Sequence, residues 1–153
     1  MYCLKYQQKL PISMETAWQY FSSPKNLKDI TPKFLDFSIT NELFNDKMYE
    51  GQIIIYKLRP LLNFPIEWVT EITHVEKPYY FVDEMRCGPY KIWHHEHWFK
   101  EIENGVEVTD IVHYKMPFGF IGKMIHSLKV KKDLKKIFAY RRQVLNDLFG
   151  DYK

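Results

Sequence analysis

The chain has 153 residues, 46% of them hydrophobic, which supplies one core of ordinary domain size and excludes a disordered chain. A formal net charge of +3, without an RNP, zinc-finger or helix-turn-helix pattern, gives no basis for nucleic-acid binding. No uncharged apolar run approaches the roughly 18 residues of a spanning helix, and Met1 to Gln8 has no signal-peptide core, so a cytoplasmic protein without stable membrane insertion is expected.

Tyr2 to Leu10 reads as a first strand, ended by Pro11. Ser13 can then cap a helix over Met14 to Phe21, with Glu15 where the positive end of the helix dipole favours a carboxylate. Ser23-Pro24 starts a second short helix, which Thr31-Pro32 stops about two turns later. From Phe34 to Met116 the period becomes that of strands: Phe34 to Thr40, Gln52 to Arg59, Trp68 to Val75, Tyr79 to Cys87, Lys91 to Ile102 and Val106 to Met116. Asn45-Asp46, Asn63-Phe64-Pro65, Lys77-Pro78, Gly88-Pro89 and Asn104-Gly105 break the segments apart. Past Gly119 and Gly122, the spacing of Met124, Ile125, Leu128, Leu134, Ile137, Phe138, Leu145 and Leu148 predicts one long amphipathic helix from near Gly122 to about Leu148. Its basic residues, Lys129, Lys131, Lys132, Lys135, Lys136, Arg141 and Arg142, read as a solvated face rather than a membrane contact.

Six strands joined by short turns make an antiparallel meander, and a single long amphipathic helix must bury its stripe against one face of it. The expectation is one α+β domain over residues 1–153 with a helix-grip fold. A seven-stranded antiparallel sheet wraps the C-terminal helix, two short helices follow strand 1, and a cavity lies between sheet and helix. The aromatic content stands out, with 11 Tyr, 11 Phe and 4 Trp, and such rings can fill a core or line a pocket for a flat apolar ligand. Cys3 and Cys87 lack any CxxC or CxxH spacing, so two free thiols are expected rather than a disulfide or a thiolate zinc site.

Several segments together resemble the START-like, or SRPBCC, superfamily, which includes polyketide cyclase/dehydratase-like and Bet v 1-like proteins. They are Ser23-Pro24-Lys25-Asn26-Leu27, Phe81-Val82-Asp83-Glu84, Gly88-Pro89-Tyr90, Trp93-His94-His95-Glu96-His97-Trp98-Phe99, and Asp110-Ile111-Val112-His113-Tyr114 followed by Pro117-Phe118-Gly119. The similarity is greatest to a bacterial, mostly uncharacterised ligand-binding branch. The resemblance implies a cavity for hydrophobic or amphipathic small molecules and, in some members, chemistry on them. A fold alone does not choose between these.

Asn104-Gly105 favours a two-residue type I′ hairpin, which sets Phe99 opposite Asp110, His97 opposite Val112, His95 opposite Tyr114 and Trp93 opposite Met116. The apolar alternation of both strands turns these same residues inward and His94, Glu96 and His113 outward. A three-residue loop at Gly88-Pro89-Tyr90 adds Asp83, opposite His95, and Phe81, opposite His97. The candidate ligand-binding set is therefore Asp83, Trp93, His95, His97, Phe99, Asp110 and Tyr114. Three readings compete for its polar members: a self-satisfied buried network, a polar floor that orients an apolar ligand, and an acid/base pair built from His97 or His95 with Asp110. Binding of a small hydrophobic or aromatic molecule is the expected function, with a cyclase- or dehydratase-type reaction as the alternative. The run His94-His95-Glu96-His97 does not fit HExxH, because it lies on a strand and lacks the second histidine four residues on. His95 and His97 form half a metal site, with Asp110 as a possible third ligand, and no metal is expected. No cofactor is expected either, since no GxGxxG or Walker pattern is present.

Overall fold

The computed structural model describes residues 1–61 and 64–153, with the side chains of residues 60, 61, 123 and 125 outside that description. Asn63 of the expected turn and the Ile125 side chain of the expected stripe therefore lie outside the described residues. The elements follow in the order β1 (Tyr2–Leu10), α1 (Met14–Phe21), β2 (Ser38–Ile39), β3 (Ile53–Leu61), β4 (Phe64–Glu76), β5 (Tyr80–Cys87), β6 (Ile92–Ile102), β7 (Gly105–Lys115), α2 (Gly119–Ile125) and α3 (Lys131–Phe149).

Ser13 caps α1 as its position predicts: its hydroxyl accepts the Thr16 amide at 3.1 Å. The expected second helix is instead a 3-10 turn, Pro24–Lys28, followed by another, Lys33–Leu35. Between Pro24 and Pro32 too few residues remain to propagate a 13-atom ladder, so i→i+3 bonds such as Asp29 N to Asn26 O, 3.1 Å, close the turns. The second of these turns takes up Phe34 and Leu35, and Asp36 follows in the left-handed region at φ +46°, which leaves only Ser38–Ile39 of the expected strand Phe34 to Thr40.

The seven strands form one antiparallel sheet in the order β1-β7-β6-β5-β4-β3-β2. Along β1, Tyr2, Leu4 and Tyr6 are less exposed than Cys3, Lys5 and Lys9, as a strand with one covered face requires. Val130, Leu134 and Phe138 pack on Val112 and Tyr114, flanked by Tyr2, Leu4 and Tyr6, so α3 covers the β1–β7 half of that face. Trp18 and Phe21 of α1 join Phe81, Phe99, Val106 and Val108 in a second cluster. Ile54, Tyr56 and Ile72 make a third, under Leu27, Phe37 and Met48.

The C-terminal helical segment is interrupted by a π turn, His126–Val130. Its buried positions, Gly122, His126, Val130, Leu134 and Phe138, recur every fourth residue, because the wider π turn rotates the chain out of the 3.6-residue phase. Met124 and Leu128 of the expected stripe are consequently exposed, as is Leu148 near the end of α3. Leu134, Phe138 and Leu145 are buried as predicted.

The β6–β7 hairpin departs from its expected register. Ile102 pairs with Gly105, so the turn residues are Glu103 and Asn104, and only Asn104 has positive φ. Trp93 then faces Tyr114, His95 faces Val112, His97 faces Asp110 and Phe99 faces Val108. The displacement is two residues, which leaves every side chain on its expected face. Gly105 serves packing rather than turn conformation. A Cβ there would lie 2.3 Å from the Leu10 carbonyl oxygen, where β1 crosses the end of β7.

Gly105→Ala is expected to destabilise the protein by about 1–3 kcal/mol, since the clash is with backbone that cannot rotate away. Denaturant unfolding measures this directly. A variant as stable as the parent would contradict the observed register.

Candidate functional site

Asp83 on β5, His95 and His97 on β6 and Asp110 on β7 project from three adjacent strands onto the covered face, because Asp83 pairs with His95 and His97 pairs with Asp110. The β5–β6 pairing is the one expected from a three-residue loop. Each imidazole lies between two carboxylates. His95 Nε2 is 2.9 Å from Asp110 Oδ1 and its Nδ1 is 3.3 Å from Asp83 Oδ2. His97 Nε2 is 2.8 Å from Asp83 Oδ2 and its Nδ1 is 3.1 Å from Asp110 Oδ1. The two rings stand 3.8 Å apart, and Phe81 stacks on His97 at 4.2 Å.

Arg141 completes the cluster from α3. Its Nη1 donates to Asp110 Oδ1 at 3.2 Å, and its guanidinium lies 5.0 Å from the centre of the Phe138 ring. Leu134, Phe138, Arg141 and Leu145 are spaced by four, three and four residues, so Arg141 sits on the buried stripe and not on the solvated basic face assigned to it. That spacing is the signal that locates it. Its side chain is 11% exposed and that of Asp110 10%, so this is a buried charge pair.

Burial by itself would raise both carboxylates. The His95 and His97 rings instead hold Asp83 below the usual carboxylate range, and Arg141 with the two histidines holds Asp110 well below it. Burial would likewise lower His95, yet Asp83 and Asp110 on its two nitrogens raise it to about 9.

Asp83, His95 and His97 form one wall of a cavity of about 190 Å³, more than ten times what one water molecule needs. Trp68, Tyr90 and Trp93 make an aromatic corner with ring centres 4.9–5.6 Å apart. Phe138, Ile137 and Arg141 of α3 close another side, and Tyr20 of α1 faces in with Phe21 and Leu27. Two polar atoms in these walls, Tyr20 Oη and Arg141 Nε, are buried without a hydrogen-bond partner. Burial, with Asp29 adding to it, raises the Tyr20 phenol to about 12, so it is present as an O–H.

Of the seven candidate ligand-binding residues, four line this cavity: Asp83, Trp93, His95 and His97. Asp110 stands behind the histidines, on the side of β1 and α3. Phe99 packs between Trp18 and Phe21, at ring distances of 5.8 and 5.3 Å, and is core. Tyr114, two residues from its expected partner, donates or accepts at 2.8 Å with His126 Nε2 beneath the helix. His126 stacks on Tyr2 at 3.6 Å and is held below its usual pKa by burial and by Lys131, so it belongs to the core. On the opposite face of the sheet His94 meets Glu84 at 2.9 Å and Glu96 at 3.4 Å. Cys3 and Cys87 are exposed free thiols.

No protein-family profile matches the chain, and no curated protein sequence matches it. Solved structures do. A Chromobacterium violaceum protein superposes with a TM-score of 0.73 at 8% identity, covering 98% of this chain and 99% of its own. Ginseng major latex-like protein 151, from Panax ginseng, gives 0.69 at 12% identity over 97% of each chain. Protein Ms6760 of Mycobacterium smegmatis gives 0.65 at 15% identity over 95% of this chain and 92% of its own. At these identities the likeness is one of fold. It makes this chain an α+β helix-grip protein with a Bet v 1-like neighbour. Among the described residues, no helix is long and apolar enough to cross a membrane.

Arg141→Met is expected to cost about 3 kcal/mol, because it leaves the buried Asp110 carboxylate without its guanidinium. Lys135→Met, on the exposed side of the same helix, should change stability by about 0.5 kcal/mol or less. Equal effects in thermal or denaturant unfolding would contradict the placement of Arg141 inside.

Proposed function

We propose that the protein binds a small hydrophobic or aromatic molecule, as a carrier or sensor, in the cavity between its sheet and its C-terminal helix. The observation that carries this reading is the pairing of an apolar, ring-lined cavity with two buried donors, Tyr20 Oη and Arg141 Nε, that have no partner of their own. Buried donors are ordinarily satisfied, and ligand oxygens are the partners an apolar cavity of this kind would take for them. The ligand class is therefore an apolar or aromatic body bearing a carbonyl or carboxylate oxygen. Trp68, Tyr90 and Trp93 contact the body, and the Asp83-His95-His97 wall borders its polar end. This reading agrees with the resemblance to START-like and polyketide cyclase-like ligand-binding proteins. Two exposed free thiols suit a reducing compartment such as the cytoplasm.

A second reading, a cyclase- or dehydratase-type enzyme, is favoured by one observation: both His95 and His97 face the cavity with carboxylates against their rings. The carrier reading predicts that polyketone-like or hydratable compounds are bound and recovered unchanged. Product formation that disappears in His97→Ala would establish the enzyme instead.

Titration with 2-naphthoate and with naphthalene tests the binding reading. Naphthoate should bind at least about tenfold more tightly than naphthalene, and Tyr20→Phe should narrow that difference. Trp93→Ala should weaken both by about tenfold or more through lost ring contact. Phe99→Ala, by contrast, should cost about 3–5 kcal/mol of stability, as a core truncation. Binding of neither compound, or binding indifferent to Trp93→Ala, would remove the reading.

A further inference from the structure

We propose that Asp83, His95 and His97 form a three-ligand site for a divalent first-row transition metal ion, Zn²⁺ or Fe²⁺, with its open coordination position turned toward the cavity. The inference goes beyond small-molecule binding and does not depend on it. It reverses the sequence expectation of no metal, which rested on two strand histidines with only Asp110 as a third donor.

Three observations carry it. The first is the donor set. Asp83, His95 and His97 each offer one ligand atom, and the three atoms lie within 4.8 Å of one another. Donors held about 2.0–2.1 Å from a shared ion stand roughly 2.8–3.0 Å apart in octahedral geometry and roughly 3.3–3.4 Å apart in tetrahedral geometry. The separations from Asp83 Oδ2, 2.8 Å to His97 Nε2 and 3.3 Å to His95 Nδ1, are of that size.

The second observation is what holds the rings. Metal-binding histidines characteristically donate the nitrogen that is not a ligand to a carboxylate, which sets the tautomer and the ring orientation. Here both rings turn one nitrogen to the same atom: His95 Nε2 is hydrogen-bonded to Asp110 Oδ1 at 2.9 Å, and His97 Nδ1 lies 3.1 Å from it. Arg141 Nη1 holds the same oxygen at 3.2 Å. The nitrogens left over, His95 Nδ1 and His97 Nε2, are the two that face Asp83.

The third observation is access. Asp83, His95 and His97 line the cavity and Asp110 does not, so the ligand atoms lie on the open side and their supports on the closed side. Two imidazoles and one carboxylate leave at least one coordination position for a water or a ligand oxygen, the arrangement of a reactive rather than a structural site. Rigid strands on either side of β6 supply the positioning that such a site needs.

The experiment uses the full chain stripped with a chelator and titrated with Co²⁺ and then Zn²⁺, with no organic ligand present. One equivalent of Co²⁺ should bind, with the intense visible bands of a four- or five-coordinate ion, and Zn²⁺ should displace it. Asp83→Asn and His97→Gln should each abolish those bands, and Asp110→Asn should weaken the metal by about 10–100-fold while leaving their shape similar. The surface cluster around His94, with Glu84 and Glu96, is the competing site, and His94→Ala should change nothing. Should the buried variants fail to fold, ¹⁵N spectra of the unaltered protein loaded with ¹¹³Cd²⁺ decide the matter. Cadmium coupling at His95 Nδ1 and His97 Nε2 is the expected result. Absence of a stoichiometric ion, coupling at the His94 ring, or Co²⁺ bands removed by His94→Ala would overturn the proposal.

Discussion

The interior is organised around one carboxylate oxygen. Asp110 Oδ1 faces His95 Nε2, His97 Nδ1 and Arg141 Nη1 at 2.9, 3.1 and 3.2 Å, and so ties β6, β7 and α3 to a single point. A buried carboxylate without such partners would cost several kcal/mol, and one that has them fixes the orientation of everything it touches. Because Asp110 occupies one nitrogen of each imidazole from behind, the other nitrogen of each is presented to Asp83 and to the cavity. Apolar residues of similar volume would stabilise this space at least as well. The charged cluster is better explained by what it offers to the cavity than by what it adds to stability.

The apolar packing leaves room for that offer. Three clusters ring the cavity without filling it: Trp18, Phe21, Phe81 and Phe99 at one end, Val112, Leu134 and Phe138 beneath the helix, and Ile54, Tyr56 and Ile72 toward β3. The helix lies over the β1–β7 half of the sheet, and Leu27 of the 3-10 turns after α1 packs at the β3 side. A protein interior normally packs to the density of an organic crystal. A ring-lined space bounded by unpartnered donors is therefore a specific departure from the rule, located where the charged wall and the aromatic corner meet.

Much of this was legible from side-chain alternation. His95, His97 and Asp110 were placed on one face because the period of a strand is two, and Asp83 joined them once the β5–β6 loop was taken as three residues. The same period explains what alternation could not detect. A hairpin slip of two residues leaves every face unchanged, so the true partners Trp93 with Tyr114 and His97 with Asp110 were hidden behind an equally consistent alternative. Gly105 misled for a related reason: its glycine is demanded by the Leu10 backbone, a contact between distant segments, rather than by the turn beside it. The helix carried two further hidden terms. A π turn over His126–Val130 shifted the stripe, and Arg141 fell among seven basic residues of which it alone reaches Asp110. Cavity volume is still less accessible, since it depends on how three clusters meet and not on the pattern within any strand.

Native mass spectrometry of the freshly purified chain shows whether the cavity holds a small molecule. A species heavier than the bare polypeptide is expected. Its extra mass should leave on denaturation as an oxygen-bearing apolar compound, and should be absent from Trp93→Ala prepared in the same way. A chain that appears only at its bare mass, and stays so after incubation with small aromatic acids, would contradict it.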